Sequence, residues 1–412
     1  MNFSPTADME LLKRKMSAFS SAVLTQSADA PFSKDLWKQC AQEGIQGLHV
    51  TSSYGGSQQS LLSVAAAMEG LGYGTNNQGL LFALNAQMWS VQQPISIYGT
   101  AAQKEKYLPQ LIEGHMIGAH AATEEQSGSD IFSLQAKATR CDGGYLLSGS
   151  KRYITLAPVA DIILVFARTN DKPGIWGISA FLLDAKQQGI TMGESKPKIG
   201  LRYVPFSEIT FRDCFVSDEQ RLGEEGGGGV IFRSSLEYER MMILFPVAGR
   251  MKKQLEETIR YANERRQFGH AIGSFQSVSN RIADMKMRLD AAVLLAYQAV
   301  WKKESGQSAA MESAMAKLAL SEAFVASSMD AFRIQGGAAF LQGSPAATDV
   351  QDALGSILFS GTSDIQRNII SKSIGVHGDC YAYRSITVAG NNSSGKYCGL
   401  VRGYRDYLLG IR

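Results

Sequence analysis

Glu239, in the run SSLEYERMM, directly precedes Arg240 and the apolar stretch Met241-Met242-Ile243-Leu244-Phe245. A carboxylate held against apolar side chains loses hydration. Its pKa rises toward neutrality, where it can take a proton from carbon. Glu237, two residues earlier, points to another side of a helix. On these residues alone, Glu239 reads more readily as a surface helix residue paired with Arg240 or Lys252. A second stretch, ILFSGTSDIQRNII at Ile357–Ile370, carries Ser360 directly before Gly361-Thr362, and a serine hydroxyl is no base near neutral pH. In ATEEQSGSD, Ala122–Asp130, Thr123 and Ser129 offer hydroxyls and Gly128 admits close approach of a ligand, although an ordinary turn uses the same residues. In ERRQFG, Glu264–Gly269, the fork of Arg265 matches a phosphate bidentately, and a solvated helix end accounts for Arg265 and Arg266 equally.

The elements that must position these groups change character twice along the chain. From about 10 to 118 the pattern is helical: Leu36, Cys40 and Ile45 share a face, and Leu61, Leu62, Ala65, Met68 and Leu71 follow at helical spacing. Tyr54-Gly55-Gly56-Ser57 is a loop between helices. Short β-rich runs follow, at Tyr145-Leu146-Leu147, Ile162–Phe166, Ile178–Leu183 and Ile209–Phe211, with turn clusters between them. These predict a small antiparallel barrel or sandwich. The run Glu224-Glu225-Gly226-Gly227-Gly228-Gly229 lacks the GxGxxG form after a strand, so it reads as a flexible joint and not a phosphate cradle. Helical stripes resume with Phe275, Val278, Ile282, Met285 and Leu289, then Met315, Leu318, Leu320 and Phe324, as in a bundle core. The expected class is α+β: an N-terminal α-helical domain over 1–118, a middle β domain over 119–225, a C-terminal four-helix bundle over 226–377, and an extension over 378–412 with no assigned role.

Composition narrows the function. The chain of 412 residues is 45% hydrophobic and 19% charged, ordinary for a soluble protein with two or three domains. No run of about 18 apolar residues predicts a membrane span. The N-terminal MNFSPTADMELLKRKM lacks a signal-peptide core, so a cytoplasmic location is expected. A net charge of +3 without a basic stripe argues against nucleic acid. Cys40, Cys141, Cys214, Cys380 and Cys398 read as free thiols, and the five isolated histidines predict no metal.

Four blocks in order, ATEEQSGSD, KRYIT at Lys151–Thr155, ERRQFG, and IQGG at Ile334–Gly337 with GTSDIQ at Gly361–Gln366, resemble the acyl-CoA dehydrogenase flavoprotein family over nearly the whole chain. FQSVSNRIADMKMRL and SGTSDIQ are most similar to the subgroup that oxidises prolyl groups tethered to a carrier protein. The resemblance implies FAD as cofactor, bound at His120, Ala122, Thr123, Gly128, Ser129, Tyr153 and Thr155, with Thr155 at the flavin N5 edge. It further implies Arg265, Phe268 and Gln276, with Arg265 reaching the pyrophosphate held by a neighbouring subunit. Arg333, Gly336, Gly337, Thr362 and Asp364 complete the implied cofactor set, and Phe359 and Ser360 fall in the substrate pocket. Several positions depart from the family pattern: Glu125 replaces a proline, Tyr153 a tryptophan, Arg333 a glutamine, and Ser360 the glutamate of many members. With that last position empty, the resemblance moves the base to Glu239, followed by Arg240 as in the isovaleryl-type members, and outweighs the surface interpretation.

The implied reaction is α,β-dehydrogenation of an acyl or aminoacyl thioester, prolyl included, carried by a peptidyl or acyl carrier protein. The implied setting is natural-product biosynthesis. A short- or branched-chain acyl-CoA dehydrogenase, a flavin-dependent oxidase or monooxygenase, and a degenerate flavoprotein scaffold are the alternatives. The resemblance also implies a homodimer or homotetramer, and an electron acceptor that is a flavoprotein or oxygen.

Overall fold

The structure is a computed structural model that describes residues 5–376; the 378–412 extension, with Cys380 and Cys398, and His377 lie outside the described residues. The N-terminal helices are α1 (Ala7–Val23), α2 (Lys34–Gln42), α3 (Leu61–Gly74), α4 (Gln78–Gln87), α5 (Gln93–Tyr98) and α6 (Ala101–Ile112). Side-chain caps define their starts: Thr6, Ser33, Ser60 and Asn77 each accept a backbone N–H of the first turn, and Thr100 with Gln103 forms a capping box. Between α4 and α5 the helix widens into one π turn, Met88–Gln92. Such a turn re-aims side chains and recurs at functional sites.

The middle region is one eight-stranded sheet: β1 (Gly118–Ala121), β2 (Lys137–Cys141), β3 (Gly144–Thr155), β4 (Ile162–Arg168), β5 (Ile178–Asp184), β6 (Ile190–Met192), β7 (Phe206–Ser217) and β8 (Arg221–Leu222). The strand order is β6-β7-β3-β2-β4-β5-β8, antiparallel for the most part, and β1 pairs parallel with β4, Gly118 opposite Ile162. The alternation of β4 explains its continuous apolar run. Ile163, Val165 and Ala167 face the sheet's own core with Tyr145, Phe181 and Phe211. Ile162, Leu164 and Phe166 face the opposite way, against Leu108 and Leu111 of α6.

The C-terminal region runs α7 (Gly228–Met242), α8 (Phe245–Glu264), a two-stranded hairpin β9 (Arg266–Gln267) and β10 (His270–Ala271), α9 (Gln276–Glu304), α10 (Ala310–Gln335), α11 (Pro345–Ser356) and α12 (Ser363–Ser373). The stripe residues Met285, Leu289, Leu320 and Phe324 pack in one core with Trp37, Leu71 and Leu84 of the N-terminal helices. The two helical regions therefore share a single apolar interior. No helix among the described residues is long and apolar enough to cross a membrane.

Two local expectations are corrected. The glycine run is not a flexible joint. Gly228 and Gly229 form the first turn of α7, and a Cβ on them would lie 2.6 Å from the Ser179 backbone and from Ile175. The glycines are there because α7 starts pressed against β5. Nor does Glu239 sit ahead of a helix spanning Met241–Phe245. It lies inside α7, which ends at Met242, and Phe245 opens α8 with Pro246 in its first turn. Pro246 has no N–H to give the carbonyl of Met242, and its ring would clash there, so α7 cannot run on through this stretch and a new helix starts instead.

Glycines also fix how α8 meets α3. A Cβ on Gly249 would stand 1.9 Å from the Glu69 carbonyl oxygen, and one on Gly72 would stand 1.8 Å from that of Pro246. Gly249→Ala is expected to push these backbones apart at a cost of about 1–3 kcal/mol, read as a lowered midpoint in denaturant unfolding.

Candidate active site

Glu239 is buried near the C-terminal end of α7. Both carboxylate oxygens are held. Ser360 Oγ donates to Oε1 at 2.5 Å, and Ser90 Oγ donates to Oε2. Ser90 is presented by the π turn, and Ser360 by the turn before α12. Ser360 has a φ of +56°, and Gly361 follows at +88°. A left-handed serine is strained, and the surrounding contacts hold it there. Its carbonyl oxygen accepts from Arg240 Nε at 3.1 Å and from Gln366 Nε2 at 3.2 Å.

Burial raises the Glu239 carboxyl above its ordinary 4.5, and the hydrogen bonds from Ser360 and Ser90, with the charges of Arg240 and Lys317, pull the other way. Burial lowers the Arg240 guanidinium to about 10, opposed by Glu239 and Glu237. It stays charged at neutral pH. Glu237 does point elsewhere, to an ion pair with Lys303 at 2.8 Å. Lys252 lies over the Tyr73 ring and is no partner of Glu239. Aromatic rings line the region: Tyr238 stacks on Trp89 with centroids 6.3 Å apart, and Phe359 meets Phe82 at 4.5 Å.

The first two blocks lie side by side. Arg152 N donates to Thr123 O at 2.8 Å, which joins the ATEEQSGSD segment to β3. Lys151, for which an exposed strand position was an open interpretation, is fully buried and pairs with Glu124 at 2.8 Å. Glu124 also accepts from the backbone N–H of Gln135 and Ala136, and Lys151 Nζ donates to Ala122 O at 3.0 Å. One extra residue in β3 between Lys151 and Ile154 makes a bulge against β7. Tyr153 in that bulge has a φ of +62°, and its exposed ring rests on Phe206 at 5.9 Å. Glu125, in place of the family's proline, pairs with Arg152 at 3.0 Å.

His120 packs between Phe166 and Phe232 with Nε2 unpartnered, and burial lowers it to about 4, so the ring is neutral. Ala122 is buried, Thr123 and Thr155 are half-buried, and Gly128 and Ser129 are exposed. Arg265, Phe268 and Gln276 are exposed around the hairpin that joins α8 to α9. Arg333 pairs with Asp330 at 3.4 Å, beside Gly336 and Gly337 at the end of α10. Tyr261 Oη donates to Gln335 O at 3.2 Å and brings that end next to α8. Thr362 caps α12, and Asp364 is exposed and paired with Arg367 at 3.1 Å.

A dinucleotide flavin needs donors for its ring edge, an apolar face and cations for its pyrophosphate. The chain supplies these as the neutral His120 with its free Nε2, the hydroxyls of Thr123, Ser129 and Thr155, the open ring of Tyr153, and the arginines at 265 and 333. A Cβ on Gly128, Gly336 or Gly337 would meet nothing within 4 Å, which leaves room for a ligand. The residues fit FAD.

Three residues of this candidate site escaped sequence reasoning. Ser90 sits in AQMWSVQQP with nothing to distinguish it from a core serine. Glu124 reads as one more acid in a loop. Lys317 is a single lysine in SAMAKLALSEAF, and that apolar surrounding was the one available signal.

A buried carboxylate kept ionised costs stability. The folded carboxyl pKa of Glu239 lies above its unfolded value, so stability from this group is present below pH 4.5 and is lost as pH rises through the raised folded value. Glu239→Gln is therefore expected to stabilise the protein by about 1 kcal/mol at pH 7.5. The gain should vanish as pH falls below 4.5 in paired thermal melts.

Family models for the acyl-CoA dehydrogenase N-terminal, middle and C-terminal domains match residues 6–115, 119–214 and 226–375. The chain is 42% identical over 365 residues to an L-prolyl-[peptidyl-carrier protein] dehydrogenase of Serratia sp. (strain ATCC 39006), covering 87% of this chain and 95% of the relative. Among solved structures, the FAD complex of PigA superimposes with a TM-score of 0.90 at 41% identity, over 92% of this chain and all of that one. The prolyl acyl carrier protein oxidase AnaB superimposes with a TM-score of 0.88 at 38% identity, over 90% of this chain and all of that one. With all three domain models matched in order across the described helical, sheet and helical regions, the chain belongs to the acyl-CoA dehydrogenase family.

Proposed function

We propose that this chain is an FAD-dependent dehydrogenase that desaturates an acyl or aminoacyl group, prolyl foremost, held as a thioester on a carrier protein, with Glu239 as the base. The observation that carries this is the clamped carboxylate. Glu239 is buried, raised in pKa, and fixed at both oxygens by Ser90 and Ser360. Desolvation strengthens it as a base, and the two hydroxyls leave it one orientation. Glu239 removes the α-proton of the thioester as the carbon–carbon double bond forms. Bound FAD supplies the acceptor for the hydride leaving the β-carbon. One round removes two hydrogens, and a second round on the same tethered group, after the cofactor is reoxidised, brings the total to four.

His120, Ala122, Thr123, Gly128 and Ser129, with Tyr153 and Thr155, hold the flavin side of the cofactor. Arg333, Gly336, Gly337, Thr362 and Asp364 serve its phosphate and adenosine side. Arg265, Phe268 and Gln276 are exposed on one chain, so they serve FAD across a subunit interface in a homodimer or homotetramer. Exposed Met287, Leu294 and Trp301 fall seven residues apart on α9 and support such an assembly. The names of the relatives support the carrier-linked substrate, and the proposed setting is natural-product biosynthesis in the cytoplasm. The acceptor is a flavoprotein or oxygen.

The purified protein is expected to be yellow, and prolyl-loaded carrier protein should bleach it and lose two or four hydrogens by mass spectrometry. Glu239→Gln should keep FAD and slow bleaching about 10²- to 10⁴-fold. Undiminished bleaching in that variant would remove Glu239 as the base. The same acyl group offered on CoA separates a carrier-linked enzyme from an acyl-CoA dehydrogenase, and oxygen uptake with peroxide identifies an oxidase. Light scattering should report a dimer or tetramer, which Leu294→Lys converts toward monomer.

A further inference from the structure

Lys317 on α10 is fully buried, and its Nζ has no hydrogen-bond partner. An unpaired ammonium in the interior is among the costliest arrangements a fold can keep. Other cations on α8, α9 and α12 are paired: Lys302 with Glu312, Arg281 and Arg288 with Asp330, Arg250 with Asp349, and Arg367 with Glu322. Lys317 instead lies over the ring of Phe359, 5.8 Å from its centre. Phe359 directly precedes Ser360, whose hydroxyl holds Glu239 at 2.5 Å. The ammonium therefore lies against the residue next to the serine that holds Glu239. The charged groups that act on it are Arg240 and Glu239 from α7 and Glu322 from α10 itself.

We propose that Lys317 is a positioning residue for the base: its buried, unpartnered ammonium beneath Phe359 holds Glu239 as the carboxylate. The charge acts through a poorly screened interior, where an opposite charge favours the ionised acid. Burial, with repulsion from Arg240, lowers Lys317 to about 7, so the supporting charge itself titrates near neutrality. The clamp serines fix where the carboxylate points, and the lysine adds its charge to their hydrogen bonds and to Arg240 in favouring the ionised form. The same coupling favours release of the Lys317 proton once Glu239 is protonated.

Stability tests this without turnover. Lys317 binds its proton less tightly folded than unfolded, so wild-type stability rises with pH from about 7 to 10.5, and the cost of burial is fully present below about 7. In the full-length holoenzyme, Lys317→Met and Lys317→Gln are expected to melt higher than wild type at pH 6, with the gain fading toward pH 10. The gain should be larger in a Glu239→Gln background, where the ammonium has lost its counter-charge. Equal gains in the two backgrounds, or failure of both Lys317 variants to fold, would overturn the proposal.

The kinetic readout rests on Glu239 as the base and uses bleaching by prolyl-loaded carrier protein. Lys317→Met should move the acid limb of the pH–rate profile up by about one unit. That is about tenfold slower below the limb and within about twofold of wild type at pH 9. Lys317→Arg should keep the wild-type limb. An unmoved limb in Lys317→Met, or a uniform loss at every pH with FAD retained, sinks the role of Lys317. Persistent bleaching by Glu239→Gln in the same assay would instead sink the base assignment.

Discussion

Burying one carboxylate inside an apolar interior is the constraint on which this molecule turns. Glu239 cannot be buried by α7 alone, because a carboxylate without hydrogen-bond partners in that setting bears its full desolvation cost. Two hydroxyls answer this, one from the π turn 149 residues earlier in the chain and one from the turn 121 residues later. Arg240 completes the arrangement by fixing the carbonyl of the same Ser360 that donates to its neighbour. A strained serine, a widened helical turn and a half-buried arginine are each unfavourable in isolation. They persist because the packed core of the two helical regions holds all three at once.

The middle domain solves a parallel problem with the opposite charge. Lys151 is buried in β3, and Glu124 meets it from the neighbouring loop while also accepting two backbone N–H groups. A buried pair of this kind adds little to stability, but breaking it leaves an uncompensated charge, so the geometry is enforced. That geometry ties the segment carrying Thr123 to the strand carrying Tyr153 and Thr155. The bulge between Lys151 and Ile154 then turns the Tyr153 ring outward. Buried charge thus shapes both the base site and the cofactor candidates, and each case works through backbone placement as much as through the charge itself.

Much of the architecture was legible because it is local. The 3.6-residue stripe of α9 arises from one element facing one core, and β4 and β5 read as short continuous apolar runs because each is covered on both faces. The four blocks carried the family because their order survives in the chain itself. The same local reasoning misjudged Gly228 and Gly229, since a glycine run that packs against β5 and one that swings free have the same composition. It also read Met241–Phe245 as one helix, although Pro246 marks a boundary there by its ring alone. Ser90 and Lys317 had no local signature, because a serine or lysine in an apolar helix gains its meaning from what lies across the interface.

By itself the sequence determined the helix, sheet, helix order and the family, and it singled out Glu239 as the candidate carboxylate because Ser360 stands where a glutamate often does. Only the tertiary structure decided that Glu239 is held by Ser90 and Ser360, that Lys151 is buried on Glu124, and that Lys317 stands unpaired below Phe359. The physical reason is range. Periodicity and turn chemistry act over a few residues, whereas desolvation and the hydrogen bonds that offset it depend on segments far apart in the chain that meet only when the core closes.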